Sequence, residues 1–274
     1  MSLVGVFQMP ILGGSITTIA TGVSATGLAY ANGKVGYVGG GGSDWVAGMA
    51  SPGVTDSGMT WASSTNPRFG GVAMDPMASY LFVDELRSVG TSTDYTVLSC
   101  AGPGSCSVLS PTSATGVVAG SNFAWFHTPV GAGTVYSLQL TGSEAGTITS
   151  YPEPTGIADF ATDGTYVYYQ QNGQPYDVFR TPVAAPDFSA STTPIVTSFA
   201  GTLVTDGTYL YTFFGASPFT IAYTPVAGGV TTTITSAGNF GTMSGSAGVA
   251  VSGHYLVFLN TTGSANVIAA VAVP

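Results

Sequence analysis

Few side chains in this sequence can do chemistry. Among 274 residues there are four basic side chains (Lys34, Arg68, Arg87 and Arg180), thirteen carboxylates and two histidines. A carboxylate–histidine–arginine group performs acid–base work if its members converge on one ligand. His127 and Glu85 are the candidates for the proton-moving pair, and Arg87 is the candidate anion anchor. Arg68 and Asp84 complete the candidate ligand-binding set. The plainer alternative is that these are polar residues in loops, where polar residues collect. Asp84, Glu85 and Arg87 could also pair locally at a surface, which contributes little. His254, inside Ser252-Gly-His-Tyr255, reads as a turn residue.

Other catalytic signatures are missing. No serine sits in a G-x-S-x-G elbow, and Gly39–Gly42 lacks the G-K-[ST] ending of a phosphate loop. No cofactor and no metal site is expected. Asp75, Asp163 and Asp206 could be imagined as a ring of metal ligands, but each opens a D-G or D-P turn that aspartate favours by its own hydrogen bonding. Cys100 and Cys106 enclose Ala-Gly-Pro-Gly-Ser, a turn-former between strand-like runs. Across such a hairpin the two positions can face each other at disulfide distance. Free thiols are the alternative, and two cysteines without nearby histidine cannot complete a zinc tetrahedron.

The elements that carry these residues repeat. Asp163-Gly-Thr-Tyr-Val-Tyr-Tyr169 recurs nearly intact as Asp206-Gly-Thr-Tyr-Leu-Tyr-Thr212. Looser copies start at Ala31, Asp75, Gly120 and Ser252, so the steps between the six starts are 44, 45, 43, 43 and 46 residues. Each copy is a turn signal followed by alternating aromatic and β-branched residues, a hairpin corner entering a strand. A period of about 40–45 residues with four short strands per unit marks propeller blades. The expected fold is therefore all-β: a six-bladed β-propeller of four-stranded antiparallel blades, forming one domain over residues 1–274. In the best unit the strands are expected at Thr155–Thr162, Tyr166–Gln171, Tyr176–Val183 and Pro194–Ala200. Residues 4–21 read as a third and a fourth strand (Val4–Pro10, Ser15–Thr21), and Thr242–Pro274 has no fourth strand. An N-terminal strand, Ser15–Thr21, is expected to close the ring, which removes exposed sheet edges. Seven third-strand candidates compete for six places, which leaves either one strand spare or the chain cut from a longer array.

These units resemble those of six-bladed β-propellers of secreted bacterial proteins, in which D-G-T-Y-hydrophobic-Y is followed by a strand ending in P-V-x-G-G. Here the second signature reads Thr224-Pro-Val-Ala-Gly-Gly229, and more weakly Thr181-Pro-Val183 and Met9-Pro-Ile-Leu-Gly-Gly14. The resemblance covers nearly the whole chain but its motifs are structural. Such propellers include lyases, lactonases, lectins and scaffolds, so the fold does not carry a function with it.

Blade topology locates a site. Loops from the second to the third strand share a face with loops from the fourth strand to the next blade. That rule gathers Arg68, Asp84, Glu85, Arg87 and His127 at one mouth, with Phe69 and Trp125 as apolar wall. The expectation is a protein or carbohydrate ligand bound there by a recognition or scaffold module. The alternatives are an enzyme acting on a small or sugar-like substrate, and a lectin. The lectin is disfavoured because Trp45, Trp61 and Trp125 fall on different strands of the unit. Asn260-Thr-Thr262 is a glycosylation sequon.

Composition narrows the partners. Net charge is −9 and charged residues are 6% of the chain, far below the ~25% of ordinary soluble domains. Such a chain lacks the basic footprint that phosphate backbones require, so nucleic acid is not expected. Mean hydropathy is +0.37, yet no apolar run reaches the 18 residues of a membrane span. Near-absence of lysine and a close cysteine pair point to an extracytoplasmic, oxidising location.

Overall fold

A computed structural model describes all residues except 1–4, 9–16, 22–23, 42–43, 52–57, 65–67, 90–91, 110–112, 130–132, 154–155, 173–175, 189–192, 199–200, 215–219, 236–248, 253–254, 263–264 and 273. The described residues form strands and turns with no helix. The chain divides into two compact units, Met1–Phe126 and His127–Pro274.

The first unit opens with a two-stranded antiparallel sheet, β1 (Gly5–Gln8) and β2 (Thr17–Thr21). A four-stranded meander follows: β3 (Ser24–Ala31), β4 (Lys34–Gly41), β5 (Asp44–Ala50) and β6 (Met59–Ser64). The next meander is β7 (Arg68–Met74), β8 (Leu81–Val89), β9 (Ser92–Cys100) and β10 (Cys106–Val108). Short corners connect these strands because Asn32 (φ 43°) and Gly33 (φ 70°) accept the left-handed backbone of a two-residue turn. Between the two meanders lies a core of Val38, Ala47, Met49, Phe69, Met74, Leu81, Val83, Leu98 and Cys100. The sheets approach closely at Gly36, where a Cβ would stand 2.7 Å from both Leu81 Cδ1 and Met74 Sδ.

A third four-stranded sheet runs β11 (Thr115–Ala119), β12 (Phe123–His127), β13 (Gly133–Gln139) and β14 (Ile148–Glu153), and the division between units falls within β12. The second unit continues with β15 (Ile157–Thr162), β16 (Tyr166–Gln171) and β17 (Val178–Pro182), a three-stranded sheet. Then come β18 (Gly201–Thr205), β19 (Tyr209–Phe214), β20 (Thr220–Pro225) and β21 (Thr232–Thr235). The last sheet is β22 (Val249–Ser252), β23 (Tyr255–Thr262) and β24 (Ala265–Ala272). Ala161, Tyr168, Val178, Val196, Leu203 and Leu210 pack together, as do Tyr211, Phe213, Ile221 and Leu256.

Most expected strands form, including β16 at its expected bounds. The strand expected at Pro194–Ala200 does not: among the described residues it contributes a single bridge, Val196 to Val178. Instead the segment after β17 turns inward and buries Phe188 (1% exposed) against Tyr151, Phe160 and Tyr169. The buried ring adds apolar contact to the aromatic cluster of Tyr151, Phe160 and Tyr169. The Thr224–Gly229 signature ends β20 in a turn, with Gly228 N–H donating to Pro225 O (2.8 Å) and Gly229 at φ 140°.

Candidate functional site

The repeated aspartates build the corners. Asp163 Oδ1 accepts the backbone N–H groups of Thr165 (2.8 Å) and Tyr166 (2.7 Å), while Oδ2 accepts Tyr168 Oη (2.7 Å). Asp206 repeats the arrangement with Thr208 (2.8 Å), Tyr209 (2.7 Å) and Tyr211 Oη (2.8 Å). In the longer corner, Asp75 accepts from Met77 N, Ser79 N and Tyr80 N. These carboxylates are turn residues, and among the described residues no group of three or more His, Cys, Asp or Glu could hold a metal ion.

Of the residues set apart as a site, Asp84, Glu85 and Arg87 lie on β8, Arg68 opens β7 and His127 ends β12. β8 is nine residues long, so Asp84, Glu85 and Arg87 stand inside a strand rather than in the connection after it. The pairing of Arg68 with Leu86 and of Phe69 with Glu85 brings Arg68, Asp84, Glu85 and Arg87 into one hairpin. The side chains of Arg68 and Arg87 lie outside the described residues, as does His254. Phe69 is buried in the core, and so is Trp125.

Asp84 and Glu85 are both buried, at 8% and 4% exposure. Asp84 Oδ2 accepts from Gly116 N (2.9 Å) and Thr115 Oγ1 (3.3 Å), both on β11, the first strand of the next sheet. Its other oxygen is buried without a partner. Burial pushes the Asp84 carboxyl up to about 6, against the lowering effect of the Gly116, Val117 and Thr115 hydrogen bonds.

His127 closes β12 and is also buried, with Nδ1 2.8 Å from Thr128 O. A carbonyl accepts only from an N–H, so Nδ1 carries the proton and Nε2 the lone pair of the neutral ring. The ring stands edge-on to Phe160 at 5.1 Å. Burial lowers its pKa to about 4 despite the Thr128 hydrogen bond.

Counting from the corners, Asp84 and His127 occupy the same place in their sheets, and Gln170 occupies it in the next. Gln170 is buried, and its Oε1 accepts from Gly201 N (3.4 Å) at the start of β18. The offsets match: Asp84 reaches 32 residues ahead and Gln170 reaches 31. Asp159 makes a third link of this kind, Oδ2 accepting from Leu203 N (2.7 Å) on β18. Asp159 retains some residue surface, but its carboxyl lies deep and burial raises it to about 7. Reasoning from the sequence missed Asp159, although the exchange of a small β-strand residue for a carboxylate in Ile157-Ala-Asp-Phe160 is visible there.

Cys100 and Cys106 form a disulfide across directly opposed positions of β9 and β10, with Cα atoms 4.0 Å apart. Gly104 at the loop tip donates its N–H to Trp61 O (3.0 Å) on β6. No described helix is long and apolar enough to cross a membrane.

The consecutive antiparallel sheets resemble in fold the β-propellers of solved structures. The acylaminoacyl peptidase of Pyrococcus horikoshii superposes with a TM-score of 0.65 at 9% identity, over 96% of this chain and 45% of that one. The β-propeller domain of the Trilobed protease from Pyrococcus furiosus, which has an open velcro topology, gives 0.64 at 10% identity over 96% and 86%. A chain of a nidogen/laminin complex gives 0.57 at 12% identity over 84% and 90%. This chain spans 45% of the length of the acylaminoacyl peptidase and 37% of a prolyl endopeptidase, so it matches those enzymes over part of their length. At such identities the likeness is one of fold. No family model matches the chain, and no curated protein matches its sequence.

Proposed function

We propose that this chain is an extracytoplasmic recognition or scaffold propeller that binds a protein ligand at one face without transforming it. In this reading residues 1–274 form one six-bladed domain. The observation that carries it is the employment of the reactive groups. Asp75, Asp163 and Asp206 hold corners, Asp84, Asp159 and Gln170 link strands, and His127 is a neutral ring bonded to Thr128. Groups engaged by backbone in this way serve the scaffold. The nidogen/laminin complex, a propeller structure in company with a protein, supports the choice of partner class. The Cys100–Cys106 disulfide supports an oxidising location.

The ligand face in this reading is built by Arg68, Asp84, Glu85 and Arg87 of the β7–β8 hairpin. Arg68 and Arg87 supply positive charge in a chain that has little of it. Asp84 and His127 fix the backbone beneath.

The test is a surface-binding screen of the purified protein against extracellular protein, peptide and glycan panels. A chromogenic set of ester, lactone, peptide and uronide substrates runs beside it. Saturable binding of a protein without turnover, weakened at least about tenfold by Arg68→Ala or Arg87→Ala, is the expected result. Turnover abolished by Glu85→Gln would replace this reading with the enzyme, and glycan binding alone would replace it with a lectin.

A further inference from the structure

Two buried carboxyls stand at junctions between consecutive sheets, one in each unit. Asp84 ties β8 to β11, and Asp159 ties β15 to β18. Both accept backbone N–H groups, and among the described residues neither is paired with a cation. At Asp84 the Gly116 and Thr115 donors both go to Oδ2, and Oδ1 is buried without a hydrogen-bond partner. The glycine pair Gly70–Gly71 makes room for it, since a Cβ on Gly71 would stand 2.9 Å from Asp84 Oδ2.

We propose that Asp84 and Asp159 are acid-favoured clasps: burial at the junction makes each carboxyl cost the fold least when it is neutral, so each contributes stability on mild acidification. Protonation of Asp84 at Oδ1 leaves Oδ2 as the carbonyl oxygen, still accepting from Gly116 N and Thr115 Oγ1. The hydrogen bonds favour the ionised form and burial favours the neutral one. Burial is the larger effect at both sites, which titrate at about 6 and about 7.

Apolar side chains, glycines and uncharged polar groups surround both carboxyls among the described residues. Val97 faces Asp84 across β9, Gly70 and Gly71 lie beside it on β7, and Thr115, Gly116 and Val117 face it from β11. Glu85, next along β8, points to the opposite face of the strand. Gln170 faces Asp159 across β16, with Phe160 and Leu203 as its backbone donors. His127, edge-on to Phe160, is neutral above about pH 4.

A carboxyl raised on folding contributes stability that is present in acid and lost as pH rises through the folded value. The Asp84 window runs from the ordinary aspartate value of 3.8 to about 6, and the Asp159 window from 3.8 to about 7. His127 opposes them between 6.5 and about 4, because its neutral form is the folded one. The two carboxyls are therefore read one junction at a time, at Gly116 and at Leu203.

The experiment is amide hydrogen exchange with a carboxyl titration by NMR on the whole protein. After correction for intrinsic rates, a carboxyl shifted from 3.8 to about 6 raises Gly116 protection about tenfold between pH 8 and pH 5. Leu203, held by the more shifted Asp159, gains more. Asp84→Asn flattens the response at Gly116 alone, and Asp159→Asn flattens it at Leu203 alone. Protection that does not rise in acid, or a response that survives its own Asn variant, overturns the proposal. Should either variant fail to fold, the wild-type titration decides, and carboxyl resonances moving near pH 4 would overturn it.

Discussion

Removing the Asp163 carboxylate tests how the corner is held. In Asp163→Ala, two turn amides and one phenol lose their acceptor. Thr165 is exposed and its N–H turns to water at little cost. Tyr168 is fully buried, so its hydroxyl is left without a partner, which costs about 1–3 kcal/mol. Loss of the bonds to an ionised acceptor adds about 1.5 kcal/mol, placing Asp163→Ala at roughly 3 kcal/mol. Tyr168→Phe leaves the carboxylate with its two amides and costs about 1 kcal/mol. The double variant therefore costs less than the sum, with a coupling of about 1–2 kcal/mol. Urea unfolding followed by tryptophan fluorescence, compared at equal slope, measures all three. Asp206→Ala with Tyr211→Phe supplies an internal replicate, because its three distances match the first corner within 0.1 Å. A coupling near zero at both corners, or a cost for Asp163→Ala below about 1 kcal/mol, would refute the reasoning.

Other outcomes follow from the same coordinates. Cys100→Ser with Cys106→Ser opens a loop with sequence separation 6 and lowers stability by about 2 kcal/mol in the chain-entropy model; intact protein under denaturing, non-reducing conditions takes up no alkylating reagent. His127→Gln removes the part of the pH dependence that lies between 6.5 and about 4. The neutral ring supplies stability above that window and loses about 3 kcal/mol through it, so on going from pH 7.5 to pH 4.5 the variant's unfolding midpoint shifts upward relative to the wild type's. Gly71→Ala presses a methyl onto Asp84 Oδ2 at 2.9 Å and destabilises by about 1–3 kcal/mol, read as a lower thermal midpoint. Equal midpoints for Gly71→Ala and wild type would show that the clasp can yield.

Local chemistry was legible in the chain itself. The corner at Asp163 needs a short acceptor, a glycine at φ 84° and an aromatic strand, and all three lie within seven consecutive residues. For that reason the repeat at 31, 75, 120, 163, 206 and 252 announced sheets, turns and the role of the aspartates. The cysteine pair was legible on the same ground, since its loop closes within one hairpin. Strand length was less so: β8 continues through Asp84, Glu85 and Arg87 because β9 offers it a nine-residue ladder, which polar composition conceals.

What a residue does across a junction was decided by tertiary structure alone. Asp84 meets Gly116, Gln170 meets Gly201 and Asp159 meets Leu203 at separations of 32, 31 and 44 residues. Nothing in the local pattern distinguishes those side chains from loop residues open to solvent. Burial removes the water that would solvate them, and packing of one sheet on the next supplies the amides that replace it. The sequence determined the repeated hairpin because its causes are neighbours in the chain. The junctions, and with them the burial of Asp84 and His127, depend on contacts made only once the sheets have packed.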